Sequence, residues 1–267
     1  MNFKLMILTA DPSFANKAQQ AGIDRIFYDL EYINKRERQA GRNTVLSNNN
    51  IEDIPQIKKI LCKSELLVRV NPIHQYSQIE INKAIDYGAD ILMLPMALDR
   101  TDVKNFIDMI DRRVKSCVMI ETPQAMTRLD SILEINGINE LFFGLNDLHI
   151  GLGLKFMFEI LSGGLVQYMA EKCNRKGIQF GFGGIARIGD GILPSDNILG
   201  EHLRLGSSSA ILSRTFKGEE SKIEEIILAK EVEKVRNRIE EIKNWDKKQF
   251  EINRQNVIEI VNKVVNN

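Results

Sequence analysis

The feature that most constrains this chain is an alternation. From the N-terminus to about Ser213, short apolar runs of β-forming residues alternate with longer amphipathic runs, the pattern of repeated βα units on a parallel sheet. Eight strands are expected, over residues 4–9, 25–29, 66–70, 91–94, 116–121, 140–144, 178–181 and 209–212, each bounded by Gly, Pro, Asn or Asp on at least one side. Helices are expected over 13–21, 50–61, 79–87, 103–110, 125–135 and 158–176. Gly22, Gly88, Gly137 and Gly177 stand where a left-handed cap would end a helix ahead of the next strand. An open doubly wound sheet would call for a glycine-rich phosphate turn after its first strand, and Thr9-Ala10-Asp11-Pro12 supplies none. The expected architecture is therefore an α/β fold, a (β/α)8 TIM barrel over residues 1–218.

Beyond Arg214 the chain becomes highly charged, with Leu228, Val232, Val235, Ile239 and Ile242 at alternating spacings of four and three and a second stripe at Val257, Ile260, Val261 and Val264. Residues 219–267 are expected to form a C-terminal helical extension, which either lies back on the barrel or packs against another subunit of a homo-oligomer. No Pro-, Gly- or Ser-rich linker separates it from the barrel, and no repeat beyond the βα unit is visible.

Composition narrows the function classes. The 267 residues carry 36 basic and 36 acidic side chains, so no overall field draws the chain to nucleic acid or to an anionic membrane. No apolar run approaches the roughly 18 residues of a membrane span, and the first eight residues are too briefly apolar to read as a targeting segment. Cys62, Cys117 and Cys173 are scattered without a CxxC spacing, which fits reduced thiols in the cytoplasm. The partner expected is a small molecule.

In barrels of this type the loops at the carboxyl ends of the strands converge on one pocket. The polar residues there are Asp29, Glu31, Arg69, Asn71, Glu121, Thr122, Asn146, Asp147 and His149, six of them ionisable. Charge in a water-poor cup is costly unless paired or bound to a cation. Glu121 and Asp147 end strands five and six, and two carboxylates converging from neighbouring strands hold magnesium or manganese while leaving positions for water and substrate oxygens. Capping of the following helices is the competing reading. Arg69 is a positive charge within the apolar run Leu66-Leu67-Val68-Arg69-Val70, suited either to a carboxylate or enolate oxygen or to a buried ion pair with Asp29 or Glu31.

Four motifs in order, Tyr28-Asp29-Leu30-Glu31, Val68-Arg69-Val70-Asn71-Pro72, Met119-Ile120-Glu121-Thr122-Pro123 and Phe143-Gly144-Leu145-Asn146-Asp147-Leu148, resemble the HpcH/HpaI aldolase/citrate lyase β-subunit family over roughly residues 4–215. The resemblance implies a metal-dependent barrel that makes or breaks a carbon–carbon bond beside a pyruvate-type enolate, or in another branch cleaves acyl thioesters. Carried over by motif, Glu121 and Asp147 would bind Mg2+ or Mn2+ and Arg69 would steady the enolate oxygen. The backbone amides of Gly144, Leu145 and Asn146, at a helix start, would hold the substrate carboxylate.

The general base departs from the family pattern. Pyruvate aldolases of the family tend to carry His after the Asp-x-Glu motif and the citrate lyase branch carries Asp, whereas this chain has Tyr32. Glu31, Asp29, a metal-bound water or His149 remain as candidates; His149 shares strand parity with Asp147 and so is a candidate to point inward. A barrel that has lost turnover and serves as an assembly subunit is the non-enzymatic alternative. Gly181-Phe182-Gly183-Gly184 followed by Arg187 reads as a tight turn or an anion site. His74 and His202 read as surface residues, and Met93, Met96, Met119, Phe142 and Phe143 as core.

Overall fold

The computed structural model describes residues 3–33, 49–218 and 223–266. The eight apolar runs form strands β1 (Lys4–Leu8), β2 (Arg25–Asp29), β3 (Glu65–Arg69), β4 (Ile91–Leu94), β5 (Lys115–Ile120), β6 (Glu140–Phe143), β7 (Gln179–Ile185) and β8 (Ser209–Leu212). Each pairs in parallel with its neighbours in chain order, and β1 meets β8 from Lys4 opposite Ser209 to Ile7 opposite Leu212, so the sheet closes into a barrel. This is the (β/α)8 architecture that the alternation requires.

The connecting helices are α1 (Pro12–Gln20), α2 (Ile54–Ile60), α3 (Ser77–Asp86), α4 (Arg100–Ile110), α5 (Pro123–Thr127), α6 (Leu129–Leu133), α7 (Leu145–Gly151), α8 (Glu159–Ser162), α9 (Leu165–Lys176) and α10 (Ser195–Leu205), followed by α11 (Glu225–Lys243) and α12 (Lys247–Asn266). Three of the expected glycine stops hold, Gly22, Gly88 and Gly177 at φ 86°, 101° and 68°; Gly137, at φ 105°, instead lies in the turn three residues beyond Glu134, the right-handed cap of the 129–133 helix. Two expected helices are broken. The 125–135 segment divides at Arg128 into α5 and α6, and the 158–176 segment divides at Gly163-Gly164, where Gly164 is left-handed at φ 84°. The glycine-rich 181–184 stretch is not a turn between elements: it lies within β7 as a bulge, with Gly183 left-handed at φ 53° and a register shift against β8 between Gly181 and Gly184.

Because strand side chains alternate, one set fills the barrel and the other meets the helices. Met6, Phe27, Leu67, Ile91, Met93, Cys117, Met119 and Phe142 form the interior plug. Ile26, Val68, Leu92, Val118, Leu141 and Phe143 belong to the outer core under the helices. Below the plug, at the amino ends, lies an ionic layer that nothing in the linear pattern singles out. The Arg25 guanidinium donates from Nη1 and Nη2 to the two oxygens of Glu140 at 2.7 and 2.8 Å, and from Nε to Glu65 at 3.0 Å. Lys115 occupies the other Glu65 oxygen at 2.5 Å. Burial works against the Arg25 charge, but Glu140 and Glu65 outweigh it and hold its pKa above the ordinary value.

The helical extension lies on its own barrel. Leu228, Val232, Val235, Ile239 and Ile242 are buried, and α11 packs on α1 and α10. Arg236 ties it to the amino end of the barrel through the Phe3 and Gly22 carbonyls and Asp24. In the second stripe Val257 and Val261 are buried where α12 runs along α10, and Asn253 sits against Gly200 with hydrogen bonds to Asn197 and Glu201. The first residues of the expected 219–267 unit lie outside the described residues. Among those described, no helix is long and apolar enough to cross a membrane.

His202 is a correction to the sequence reading. It is fully buried in α10 rather than on the surface, stacked on Phe182 at 3.7 Å with Nδ1 2.8 Å from the Ser207 hydroxyl and Nε2 without a partner. A charged ring there has no compensation, and burial lowers its pKa to about 3.

Two outcomes follow from this packing. Glu140→Ala leaves Arg25 buried without its bidentate partner and should cost about 3–5 kcal/mol in urea unfolding, against less than about 1 kcal/mol for Lys115→Ala at the exposed end of the network. For His202, the unfolded chain takes up a proton below about pH 6.5 that the folded chain refuses until about pH 3. Stability therefore falls as pH drops through that window, by about 1.4 kcal/mol per unit. The stability difference between wild type and His202→Gln, followed from pH 6.5 to 5, should shrink at that slope.

Candidate functional site

The barrel brings five of the expected residues to one end. Asp29 closes β2, Glu31 follows two residues on, Arg69 closes β3, Glu121 follows β5, and Asp147 lies in the first turn of α7 beyond β6. Asp29, Glu31, Arg69 and Glu121 are all buried and Asp147 is half-buried.

Arg69 is the hub. Its Nε and Nη2 each donate to one oxygen of Asp29 at 2.8 Å, a bidentate grip, and Nη2 also lies 3.2 Å from Glu31 Oε2. Its Nη1 meets only the Met119 sulfur, at 3.7 Å, and the Phe27 ring lies 5.3 Å below the guanidinium. Burial opposes the charge, yet Asp29 and Glu31, and then Glu121, hold Arg69 protonated. The ion pair with Asp29 and Glu31, one of the two readings of this residue, is thus formed.

Glu121 Oε1 accepts the Met96 N–H at 2.8 Å. Met96, read as core from the sequence, is half-buried and left-handed at φ 52°, a conformation a methionine adopts only when its surroundings hold it there. The next residue of the strand end is also fixed: the Thr122 hydroxyl donates to the Ala97 carbonyl at 2.7 Å and accepts the Ala125 N–H, starting α5. On its other side Glu121 faces bare backbone. A Cβ on Gly144 would stand 2.5 Å from Glu121 Oε2 and 2.6 Å from Glu121 Cβ, so only glycine leaves room for this carboxyl. Burial first, then the negative charges of Glu31 and Asp147, push Glu121 up to about 8, with Arg69 and the Met96 N–H pulling the other way.

Asp29, Glu31 and Glu121 thus act on the Arg69 guanidinium, and Asp147 adds its charge to the field at Glu121. The carboxyl oxygens of Glu121 and Asp147 are donors of the kind a hard divalent cation takes, and the cradle kept open at Gly144 leaves room for the first of them. Among the described residues no three His, Cys, Asp or Glu side chains converge as a ligand cluster. Protein donors from Glu121 and Asp147 would therefore number two, with the remaining positions left to water or substrate oxygens.

Other expected residues are placed differently. His149 does not share strand parity with Asp147, because a helix begins at Leu145; two residues on a helix are about 200° apart. It is buried with Nδ1 3.3 Å from the Leu145 carbonyl, and no hydrogen bond or ion pair joins it to the carboxylates. The Gly144 amide is taken by the Ile120 carbonyl at 3.1 Å, leaving Leu145 and Asn146 to present the open amides of the α7 first turn. Asn71 clamps the loop after Glu31: its Oδ1 accepts the Tyr32 and Ile33 amides at 3.0 and 3.1 Å, and its Nδ2 donates to Glu80 at 2.8 Å. Tyr32 itself is 64% exposed and turned into an outer groove of about 620 Å3 shared with Asn50, Asn71, His74 and Tyr76. His74, expected at the surface, is half-buried and lies 3.1 Å from Glu80. Arg187 has a buried Nε with no hydrogen-bond partner among the described residues. Met96 and Met119 are the contributors that the sequence does not flag, since one acts through its backbone and the other through a soft sulfur; the only signal is Pro95, which fixes the strand end before Met96.

Among proteins of curated function none matches the sequence. In structure the chain is similar to an HpcH/HpaI aldolase from Desulfitobacterium hafniense DCB-2, at TM-score 0.64 and 15% identity over 92% of this chain and 95% of that one. It is similar to the citrate synthase SbnG at TM-score 0.63 and 19% identity, over 79% and 86% of the two chains. A family protein from Burkholderia cenocepacia J2315 aligns at TM-score 0.62 and 16% identity, over 91% and 95%. These likenesses show the fold. The model of the HpcH/HpaI aldolase/citrate lyase family matches residues 3–159, a span that takes in Asp29, Glu31, Arg69, Glu121 and Asp147, and on that match the chain belongs to this family.

Proposed function

We propose that this member of a lyase and aldolase family is a divalent-metal-dependent carbon–carbon lyase that works through the enolate of a 2-oxo acid. The observation that carries the reading is the buried Glu121 carboxyl, given room by a bare Gly144 and lying in the field of Glu31, Asp147 and the Arg69 guanidinium. Glu121 and Asp147 would hold Mg2+ or Mn2+, which when bound supplies Lewis-acid stabilisation of negative charge on the substrate carbonyl. Arg69, locked by Asp29, offers Nη1 as the donor not taken by a carboxylate, aimed where enolate charge develops. The Leu145 and Asn146 amides bind the substrate carboxylate at the start of α7. Asp29 is committed to Arg69 and His149 to the interior of its helix, so Glu31, positioned by the Asn71 clamp, takes the hydroxyl proton as the aldol bond breaks. The setting we assign is cytoplasmic, in keeping with three free cysteines.

A second reading, cleavage of a citryl- or malyl-type thioester, is favoured by one observation. The groove of about 620 Å3 opens beside Asn71, two residues beyond Arg69, and is large enough for an extended acyl carrier arm.

The test of the shared half-reaction is exchange of pyruvate methyl protons for deuterium, followed by NMR. Wild-type protein should exchange with added Mn2+ and not in EDTA, and Glu121→Ala should abolish the Mn2+-dependent rate; absence of exchange with any divalent metal would remove the pyruvate reading and leave the thioester one. Gly144→Ala probes the cradle separately. The added methyl must displace the Glu121 carboxyl, so Mn2+ affinity measured by titration should fall at least about tenfold while circular dichroism stays that of wild type.

A further inference from the structure

A cavity lies away from the cup, at the amino ends of the strands. It is a cleft of about 950 Å3 between α2 and α4, floored by the residues that lead into β3, β4, β5 and β6. Its charged lining is Lys58, Lys63, Arg112, Arg113 and Lys115 against Glu65 and Asp90. Both carboxylates are already satisfied. Asp90 is held by Lys58 through both oxygens at 2.6 and 2.7 Å, and Glu65 by Lys115 and Arg25. Lys63, Arg112 and Arg113 are left with no carboxylate partner among the described residues: Lys63 donates to the Gln20 amide oxygen, and Arg113 to Asn82 Oδ1 and the Met109 and Ile110 carbonyls.

Cations at helix C-termini often do no more than answer the negative end of the helix. Arg113 performs that role for α4 through its two carbonyl contacts. Arg112 does not. It makes no hydrogen bond or ion pair with a described residue, and it is left-handed at φ 57°, which arginine does not favour, directly after Asp111, the left-handed cap of α4 at φ 48°. Strain of this kind persists where the surroundings hold a residue in place, and it is common at ligand clamps. Leu61, Ala89, Ile107, Ile110 and Val114 form an apolar part of the wall, beside Ser64 and Asn139, and the volume exceeds what a lone phosphate fills.

We propose that this cleft is a binding site for a small phosphorylated anion of nucleotide size, with Lys63 and Arg112 taking the phosphates and the apolar wall taking the organic part. The site is independent of the catalytic cup, whose acidic lining repels such a ligand when no cation is bound. The experiment is calorimetric titration of the full chain in EDTA with ADP, pyrophosphate and adenosine. ADP and pyrophosphate should bind saturably at one per chain, adenosine should not, and Lys63→Glu combined with Arg112→Glu should weaken ADP at least tenfold. Arg112→Gly removes the charge and the backbone strain together, so it should weaken ADP while leaving the melting temperature equal to or above that of wild type. Glu121→Gln should bind ADP as wild type does. No saturable binding of ADP or pyrophosphate to wild type, equal affinity in the charge-reversed variant, or loss of binding in Glu121→Gln would overturn the proposal.

Discussion

The bidentate pairing of Arg69 with Asp29, reinforced by Glu31, is the interaction on which the candidate site depends. It crosses from β2 to β3 at the rim of the barrel plug, with Phe27 beneath and the Met119 sulfur beside it. An arginine only 9% exposed is tolerable because its bidentate partner, Asp29, is fixed by a strand and Glu31 by the loop that Asn71 clamps. The same rigidity fixes the direction in which its remaining nitrogen can act. Glu121 then experiences both the attraction of Arg69 and the repulsion of Glu31 and Asp147, and burial tips the balance towards its neutral form.

The two ends of the barrel solve the problem of interior charge differently. At the amino end two cations, Arg25 and Lys115, meet two carboxylates, Glu65 and Glu140, in one connected network. That layer closes the plug and asks for no ligand. At the carboxyl end Arg69 is gripped by Asp29 and Glu31, and Glu121 and Asp147 lie beyond that pair in the same field. The contrast follows the general division of such barrels into a stability face and a chemistry face. The amino-end layer, paired within itself, reads as structural.

Support around the cup comes from backbone as much as from side chains. Met96 is held left-handed so that its N–H reaches Glu121, Gly144 surrenders its side chain to the same carboxyl, and Asn71 pins the two amides that follow Glu31. Each acts through geometry that residue identity barely encodes. Tyr32, directly after Glu31, turns outward into the groove it shares with Asn71 and His74.

The strands, three of the glycine helix stops, the closed barrel and the set Asp29, Glu31, Arg69, Glu121 and Asp147 were legible in the sequence, because strand and helix periodicity and left-handed caps are local steric properties that a short window expresses. What only the tertiary structure decided are matters of partnership. Arg69 finds Asp29 across 40 residues and Arg25 finds Glu140 across 115, His149 is carried off by an early helix start, and His202 is enclosed by Phe182 and Phe3. The heptad seam of α11 fitted a neighbouring subunit as well as its own barrel until α1 and α10 were seen to cover it. An apolar stripe states that it will be buried but not against what, and a charge states that it needs a counter-charge but not which; closure of the barrel supplies both answers.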